Sequence, residues 1–281
     1  MSEDKVIDHY GHGDLRDKLA AALAAAGLAD ERLTPADLAP LDQFHTRGMA
    51  ATIELGEALA IKPGASVIDI GSGLGGPSRY LATKFGCTVK GIDLSSAFVS
   101  AASYLAERAG LAGKVSYDCD NALSLPCPDQ SFDIAWTQHV AMNIADRARL
   151  YREIRRVLKP GGRFATFDVV ANGSELHYPV PWGRTLATSF LLTADATHEA
   201  IEKAGFRTLA WQDDTEAAKA WITQLRASGP PPSPNLSVVM GPDFAQLSTN
   251  LGRNLLEGRL GILTAVFEAA PTKTRIHTEN R

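Results

Sequence analysis

The apolar run Val67-Ile68-Asp69-Ile70 passes without a break into Gly71-Ser72-Gly73-Leu74-Gly75-Gly76, and a second apolar run, Val89 to Ile92, ends on Asp93. A strand that empties into glycines commits the chain to a tight turn, because the missing Cβ lets the backbone bend sharply and approach a ligand closely. Gly71, Gly73 and Gly76 satisfy G-x-G-x-x-G. Asp69, two residues before the first glycine, would repel a pyrophosphate and suits a ligand carrying positive charge. Asp93 ends the next strand, where a carboxylate accepts hydrogen bonds from both ribose hydroxyls. Together the two acids describe S-adenosylmethionine better than NAD.

Strands and helices alternate from this point. The pattern predicts strands at Ser66 to Ile70, Thr88 to Ile92, Val115 to Asp118, Phe132 to Thr137 and Gly162 to Val169. It predicts helices at Pro77 to Phe85, Ser95 to Ala109, Ala145 to Val157 and Ala194 to Ala204. Parallel strands need crossover connections, so this order implies an α/β fold with a parallel sheet and helices on both faces. Upstream, Leu15, Leu19, Leu23 and Ala26 recur at helical spacing behind Asp14, which can cap their helix. Thr34-Pro35 opens a second helix, and Gly48 to Leu59 reads as a third, stopped by Lys62-Pro63-Gly64. Downstream, Phe206 to Gln212 and Gly261 to Phe267 offer two more strands, separated by about 48 residues, a gap that needs structure of its own. Helices at Ala217 to Ala227 and Pro242 to Glu257, with a proline-rich loop from Gly229 to Pro234, supply it.

The segments Val67 to Gly76, Val89 to Ser95, Asn121 to Pro126, Ser131-Phe132-Asp133 through Asn143, and Leu158-Lys159-Pro160-Gly161-Gly162-Arg163-Phe164 stand in the order found in the class I S-adenosylmethionine-dependent methyltransferases, which the chain resembles over residues 41–212. Leu41-Asp42-Gln43-Phe44-His45, Gln138-His139, Pro179-Val180-Pro181-Trp182 and Leu256-Glu257-Gly258-Arg259 look like the small-molecule branch that includes sarcosine and dimethylglycine N-methyltransferases. The resemblance implies a Rossmann-like, seven-stranded, mostly parallel sheet with the last strand antiparallel beside the sixth. It divides the chain into an N-terminal helical cover (1–47), a cofactor-binding core (48–212), a helical insertion with the last strand (213–270) and a tail (271–281).

It also implies roles for particular residues. Gly71, Ser72 and Gly73 would lie against the methionine moiety, with Asp69 turned toward its ammonium group directly or through water. Asp93 would hold the ribose and Leu94 would pack on the adenine. The family usually carries an aspartate before Ala122 at the adenine edge; this chain has Asn121, whose carbonyl oxygen can accept the same bond, and Asp120 before it reads as a solvated loop acid. Gln138 aligns with a residue that contacts the cofactor's amino-acid end, and Arg47 is a candidate for the carboxylate there.

Methyl transfer from a sulfonium is an in-line displacement in which orientation dominates, and a hydroxyl or carbon acid additionally needs a base. His139, at the carboxyl end of the fourth strand, is the candidate base, set against a histidine that only shapes the pocket. Tyr10 belongs to a segment that in related enzymes folds over the cofactor. Tyr178, Trp182 and Arg184 lie in a proline-stiffened loop suited to a substrate wall, where Trp182 could attract an ammonium and Arg184 a carboxylate. The expected reaction is methyl transfer to a small amine such as sarcosine or dimethylglycine. O- or C-methylation of an isoprenoid, quinone or other natural product is one alternative, and a module that only binds S-adenosylmethionine is another.

A net charge of -4, from 28 basic and 32 acidic residues, gives no field that would gather nucleic acid or an anionic membrane. No apolar run approaches a bilayer span, and Met1-Ser2-Glu3-Asp4-Lys5 is too polar to begin a secretory signal, so a cytoplasmic location without membrane insertion is expected. Cys87, Cys119 and Cys127 are irregularly spaced, which suits core packing rather than a disulfide framework or a metal site.

Overall fold

The computed structural model describes residues 15–229 and 234–270. At its centre is a seven-stranded sheet built from β1 (Ser66–Ile70), β2 (Thr88–Asp93), β3 (Val115–Cys119), β4 (Phe132–Gln138), β5 (Leu158–Ala171), β6 (Phe206–Asp213) and β7 (Leu260–Ala269). The order across the sheet is β3-β2-β1-β4-β5-β7-β6, with β7 antiparallel to both of its neighbours and the other pairings parallel. The strand order reverses between β1 and β4, and ligands of open α/β sheets bind outside the carboxyl ends of the strands at such a reversal.

Alternate residues of each strand feed opposite faces. Val67, Ile134, Trp136, Ala165 and Phe167 enter one buried cluster, while Ile68, Ile70, Ala135 and Phe164 enter the other. The first is covered by α3 (Gly48–Ala58), α4 (Gly76–Phe85) and α5 (Ser96–Arg108), through residues such as Leu55, Leu81 and Ala102. The second is covered by α6 (Arg147–Val157) and α7 (Ala194–Lys203), through Leu150, Ile154 and Ile201. α1 (Leu15–Ala25) and α2 (Pro35–Asp42) form a third cluster with α5, in which Leu15, Leu19, Leu23 and Leu38 meet Leu74 and Leu105.

The helix starts follow their caps. The Thr34 hydroxyl and the Asp37 carboxylate form a capping box in front of Pro35, and the Ser95 hydroxyl accepts the Phe98 N–H. Asp146 caps α6, which therefore begins at Arg147 rather than at the expected Ala145. β5 is longer than its sequence pattern predicts. The pairing of Phe132 with Leu158 and of Ile134 with Arg163 leaves the turn-forming Lys159 to Gly162 as an irregularity within the strand. Between β6 and β7 lie α8 (Thr215–Ala227), the short α9 (Ser237–Met240), which no periodicity announces, and α10 (Phe244–Leu256). Cys87 and Cys127 are buried, but Cys119 is exposed because it closes an edge strand, so the core assignment fails for that residue. No helix among the described residues is long and apolar enough to cross a membrane. The expected cap Asp14, most of the proline loop and the tail at 271–281 lie outside the described residues.

Candidate active site

The carboxyl ends of β1, β2, β3 and β4 open on one cavity of about 860 Å³. That is near the upper end for ligand pockets, and enough for a nucleoside cofactor and a second molecule together. β1 leaves the sheet through Gly71 at φ 72°, and the N–H groups of Gly71 and Ser72 both donate to the Ile92 carbonyl. A Cβ on Gly71 would stand 2.5 Å from a Val140 methyl, so the turn and the segment after β4 touch backbone to side chain with no room to spare. Gly76 is closed in the same way from the cover, since a Cβ there would stand 2.5 Å from Asp42 Oδ1. Beneath that contact, Arg79 donates to Asp42 Oδ2 at 2.6 Å, and both side chains are fully buried. Burial pushes the Asp42 carboxyl up to about 6, against the pull of Arg79.

Asp93 accepts the Gly73 N–H at 2.8 Å and the Ser95 N–H at 2.9 Å. Burial raises its pKa while these N–H groups lower it, and its carboxylate retains free lone pairs on the cavity wall. The Trp136 indole N–H donates to Gln138 Oε1 at 3.0 Å, which fixes the amide. Gln138 Nε2 is left buried and without a partner beside the cavity. An anchored carboxylate at the second strand, a side-chain-free turn and an unspent donor after the fourth fit a nucleoside with an amino-acid tail.

Of the residues expected at the site, Gly71, Gly73, Asp93, Leu94, Asn121, Ala122, Gln138, His139 and Trp182 line this cavity. Several others do not. Asp69 is buried behind the turn, where it accepts the Ser78 hydroxyl at 2.5 Å, and burial pushes its carboxyl up to about 7. The Ser72 hydroxyl is likewise buried outside the wall. Arg47 sits in left-handed backbone at the start of α3, with its guanidinium on Glu54 at 2.5 Å and near Asp214 at 3.6 Å, so it is turned away from the cavity. Arg184 pairs with Asp243 at 2.6 Å on the outer surface, and Tyr178 packs against the core beside Pro179. The expected substrate contacts of these two are therefore corrected by position. Tyr10 lies outside the described residues.

The segment expected at the adenine edge brings both Asp120 and Asn121 to the cavity. Asn121 Oδ1 accepts the Leu123 N–H at 2.8 Å and so closes its own turn. Asp120, set aside in the sequence as a loop acid, lines the cavity, with its N–H held by the Asp93 carbonyl at 3.0 Å.

His139 has φ 53° and donates its backbone N–H to the Phe167 carbonyl at 2.8 Å. Its ring stacks on Phe167 at 5.3 Å, nearly parallel, and Nε2 lies 3.4 Å from the Thr46 hydroxyl. Burial, and then the neighbouring His45, lower its pKa well below the usual imidazole value. His45, 6.0 Å away between ring centroids, is itself brought down to about 4 by burial. A neutral imidazole in a cavity wall can accept a proton. Around it the wall is chiefly apolar: Phe44, Phe98, Met142, Ile144, Trp182, Trp221, Leu225, Met240 and Phe244. The Trp182 N–H is spent on Ser189 Oγ at 2.9 Å. In sequence the α8 and α10 residues read only as amphipathic stripes, and nothing in their spacing announces a cavity.

Comparison with known proteins agrees with this geometry. Residues 68–166 match the family described as "Methyltransferase domain". The methyltransferase GfsG of Streptomyces halstedii is 35% identical over 208 residues, covering 73% of this chain and 72% of that protein. A sterol 24-C-methyltransferase of Gibberella zeae is 32% identical over 57% of this chain, and the match spans only 44% of its own length. Among solved structures, the [4+2]-cyclase SpnF superposes with a TM-score of 0.68 at 24% identity, over 92% of this chain and 95% of that one. A putative sarcosine dimethylglycine methyltransferase from Galdieria sulphuraria superposes with a TM-score of 0.62 at 17% identity, over 90% and 98%. At such identities the superpositions establish the fold.

Proposed function

The chain belongs to the class I S-adenosylmethionine-dependent methyltransferases, and on that premise we propose that it methylates a hydroxyl group on an apolar small molecule, with His139 as the general base. It is an enzyme that acts on small molecules, and its cofactor supplies a methyl group already activated on a sulfonium. The protein's part is to bind, orient and move one proton. In this reading the backbone at Gly71 and Gly73 receives the methionine portion, Gln138 Nε2 donates to its carboxylate, Asp93 takes the ribose hydroxyls, and Leu94, Asp120 and Ala122 frame the adenine.

The neutral His139 set in an apolar wall carries the reading. A hydroxyl must lose its proton as the new bond forms, and a buried imidazole with a lowered pKa is unprotonated at neutral pH and ready to take it. The apolar wall suits a hydrocarbon-rich acceptor and excludes water from the reacting atoms. An acceptor such as sarcosine carries an ammonium and a carboxylate; Arg47 and Arg184, the arginines the sequence suggested for carboxylates, are engaged elsewhere, and Arg226, which does line the cavity, is directed at the Thr249 carbonyl. Relatives such as the sterol methyltransferase act, by name, on apolar molecules, which favours the same class.

The test is a screen of hydroxylated apolar compounds and small amines for S-adenosylhomocysteine formation, followed by His139→Ala on the best acceptor. The variant is expected to lose about 100- to 10,000-fold in kcat with unchanged cofactor affinity. Turnover confined to sarcosine or dimethylglycine, or a hydroxyl acceptor turned over equally well by His139→Ala, would refute it.

A further inference from the structure

We propose that Asn143 determines acceptor specificity by hydrogen-bonding a second oxygen of the acceptor, so that the preferred substrates are apolar molecules with two neighbouring oxygen functions. This assignment rests on the apolar hydroxyl acceptor argued above and narrows it.

Asn143 lines the cavity four residues after His139, at the end of the short 3₁₀ turn Ala141–Asn143. Its Oδ1 is buried and has no hydrogen-bond partner. An amide oxygen accepts hydrogen bonds, so the group that would satisfy it is a donor such as a hydroxyl. A buried polar atom left without one is costly, so it calls for an explanation in terms of what occupies the cavity.

The turn cannot shift to relieve it. The Ala141 N–H is held by Asp168 Oδ2 at 3.0 Å, the Met142 carbonyl accepts the Phe190 N–H at 2.8 Å, and the Asn143 N–H donates to the Val140 carbonyl at 3.1 Å. Just beyond, the Arg147 guanidinium clamps the carbonyls of Ile144 and Phe190, each at 3.0 Å. The backbone that carries Asn143 is therefore held in place, and an acceptor that meets the amide has only its side-chain torsions to order.

Several other polar groups of the wall are committed. The Trp182 N–H is bonded to Ser189, the Thr249 hydroxyl to the Ala245 carbonyl, and Asn235 Oδ1 accepts the Ser237 N–H. Gln138 Nε2 is the other unspent buried group at the wall, and it is a donor suited to the cofactor's carboxylate. Among the described wall residues, Asn143 Oδ1 is the buried acceptor atom without a partner. A site built to hydrogen-bond a substrate group rejects the analogue that lacks it, because the protein atom is then left buried and unpaired.

The experiment compares wild type, Asn143→Leu and Asn143→Gln, using para-octylphenol and the matching octylcatechol as probes in calorimetry with S-adenosylhomocysteine bound and, with S-adenosylmethionine supplied, in kcat and KM where turnover occurs. Wild type is expected to prefer the catechol by about tenfold to a hundredfold. Asn143→Leu should lose that preference mainly through a weaker hold on the catechol, keep its affinity for S-adenosylhomocysteine, and bind the phenol no worse. Partial return of the preference in Asn143→Gln supports hydrogen bonding over packing. Equal binding of both probes by wild type, or the same preference in Asn143→Leu, overturns this assignment alone. Uptake of neither probe by wild type that still binds S-adenosylhomocysteine overturns it together with the apolar-acceptor reading.

Discussion

Replacing Gly71 with alanine should damage the protein in two separable ways, and a second substitution tells them apart. The new Cβ would stand 2.5 and 2.9 Å from the two γ carbons of Val140, distances that real Cβ atoms essentially never show. Relieving that overlap costs roughly 1–3 kcal/mol in a packed site. Independently, Gly71 sits at φ 72°, where an alanine is strained by about 1–2 kcal/mol. Gly71→Ala is therefore expected to lose about 2–5 kcal/mol in urea unfolding, the sum of the two. Val140→Ala alone removes two methyl groups from a side chain that is 9% exposed, at a cost of about 1.6 kcal/mol. In the double variant the overlapping methyls are gone and only the Val140 Cβ remains, 3.3 Å away. The double variant should then be more stable than the two single losses added together by about 1–3 kcal/mol, while the backbone strain persists. Calorimetry with S-adenosylmethionine should follow the same pattern, since the turn borders the cavity. Strict additivity in the cycle would mean that the turn and the segment after β4 do not touch as described.

Two further outcomes follow from buried charge. Arg79→Met leaves Asp42 buried without its cation and should cost about 3–5 kcal/mol at pH 8; the loss should shrink as the medium is acidified, because a protonated Asp42 no longer needs the pair, and a pH-independent loss would refute this. A lowered His139 pKa means that the imidazole stays neutral to lower pH than a free one, so the acid limb of kcat/KM for a hydroxyl acceptor should fall below pH 6.5 and vanish in His139→Ala; a limb at or above 6.5 that persists in the variant would remove His139 from the proton transfer.

Where the sequence was legible, a local rule was enough. The glycine turn and the cap residue Thr34 act on backbone within a few residues, so their consequences can be read from composition and spacing, and Asp93 was legible because it ends a strand. The placing of Asp93, Leu94 and Gln138 on one wall follows from an alternating α/β order, which brings strand ends together. The failures involve partners remote in sequence. Arg47 meets Asp214 and Arg184 meets Asp243 through folding alone, and either guanidinium would have served a ligand equally well as a free side chain. Asp120, read in sequence as a solvated loop acid, lines the cavity beside Asn121, whose short amide also closes its own turn.

The amino-acid sequence by itself determined the α/β fold class and the nucleoside-type cofactor, because periodicity, a glycine turn and the acid that ends the second strand express short-range physics, while the order of the strands came from the family resemblance alone. Only the tertiary structure decided what stands opposite the cofactor. The apolar faces of α8 and α10 come to line the same cavity as Asn143 when β7 returns between β5 and β6 and folds the insertion back over the sheet. That closure depends on contacts between residues far apart in the chain, which no local pattern encodes.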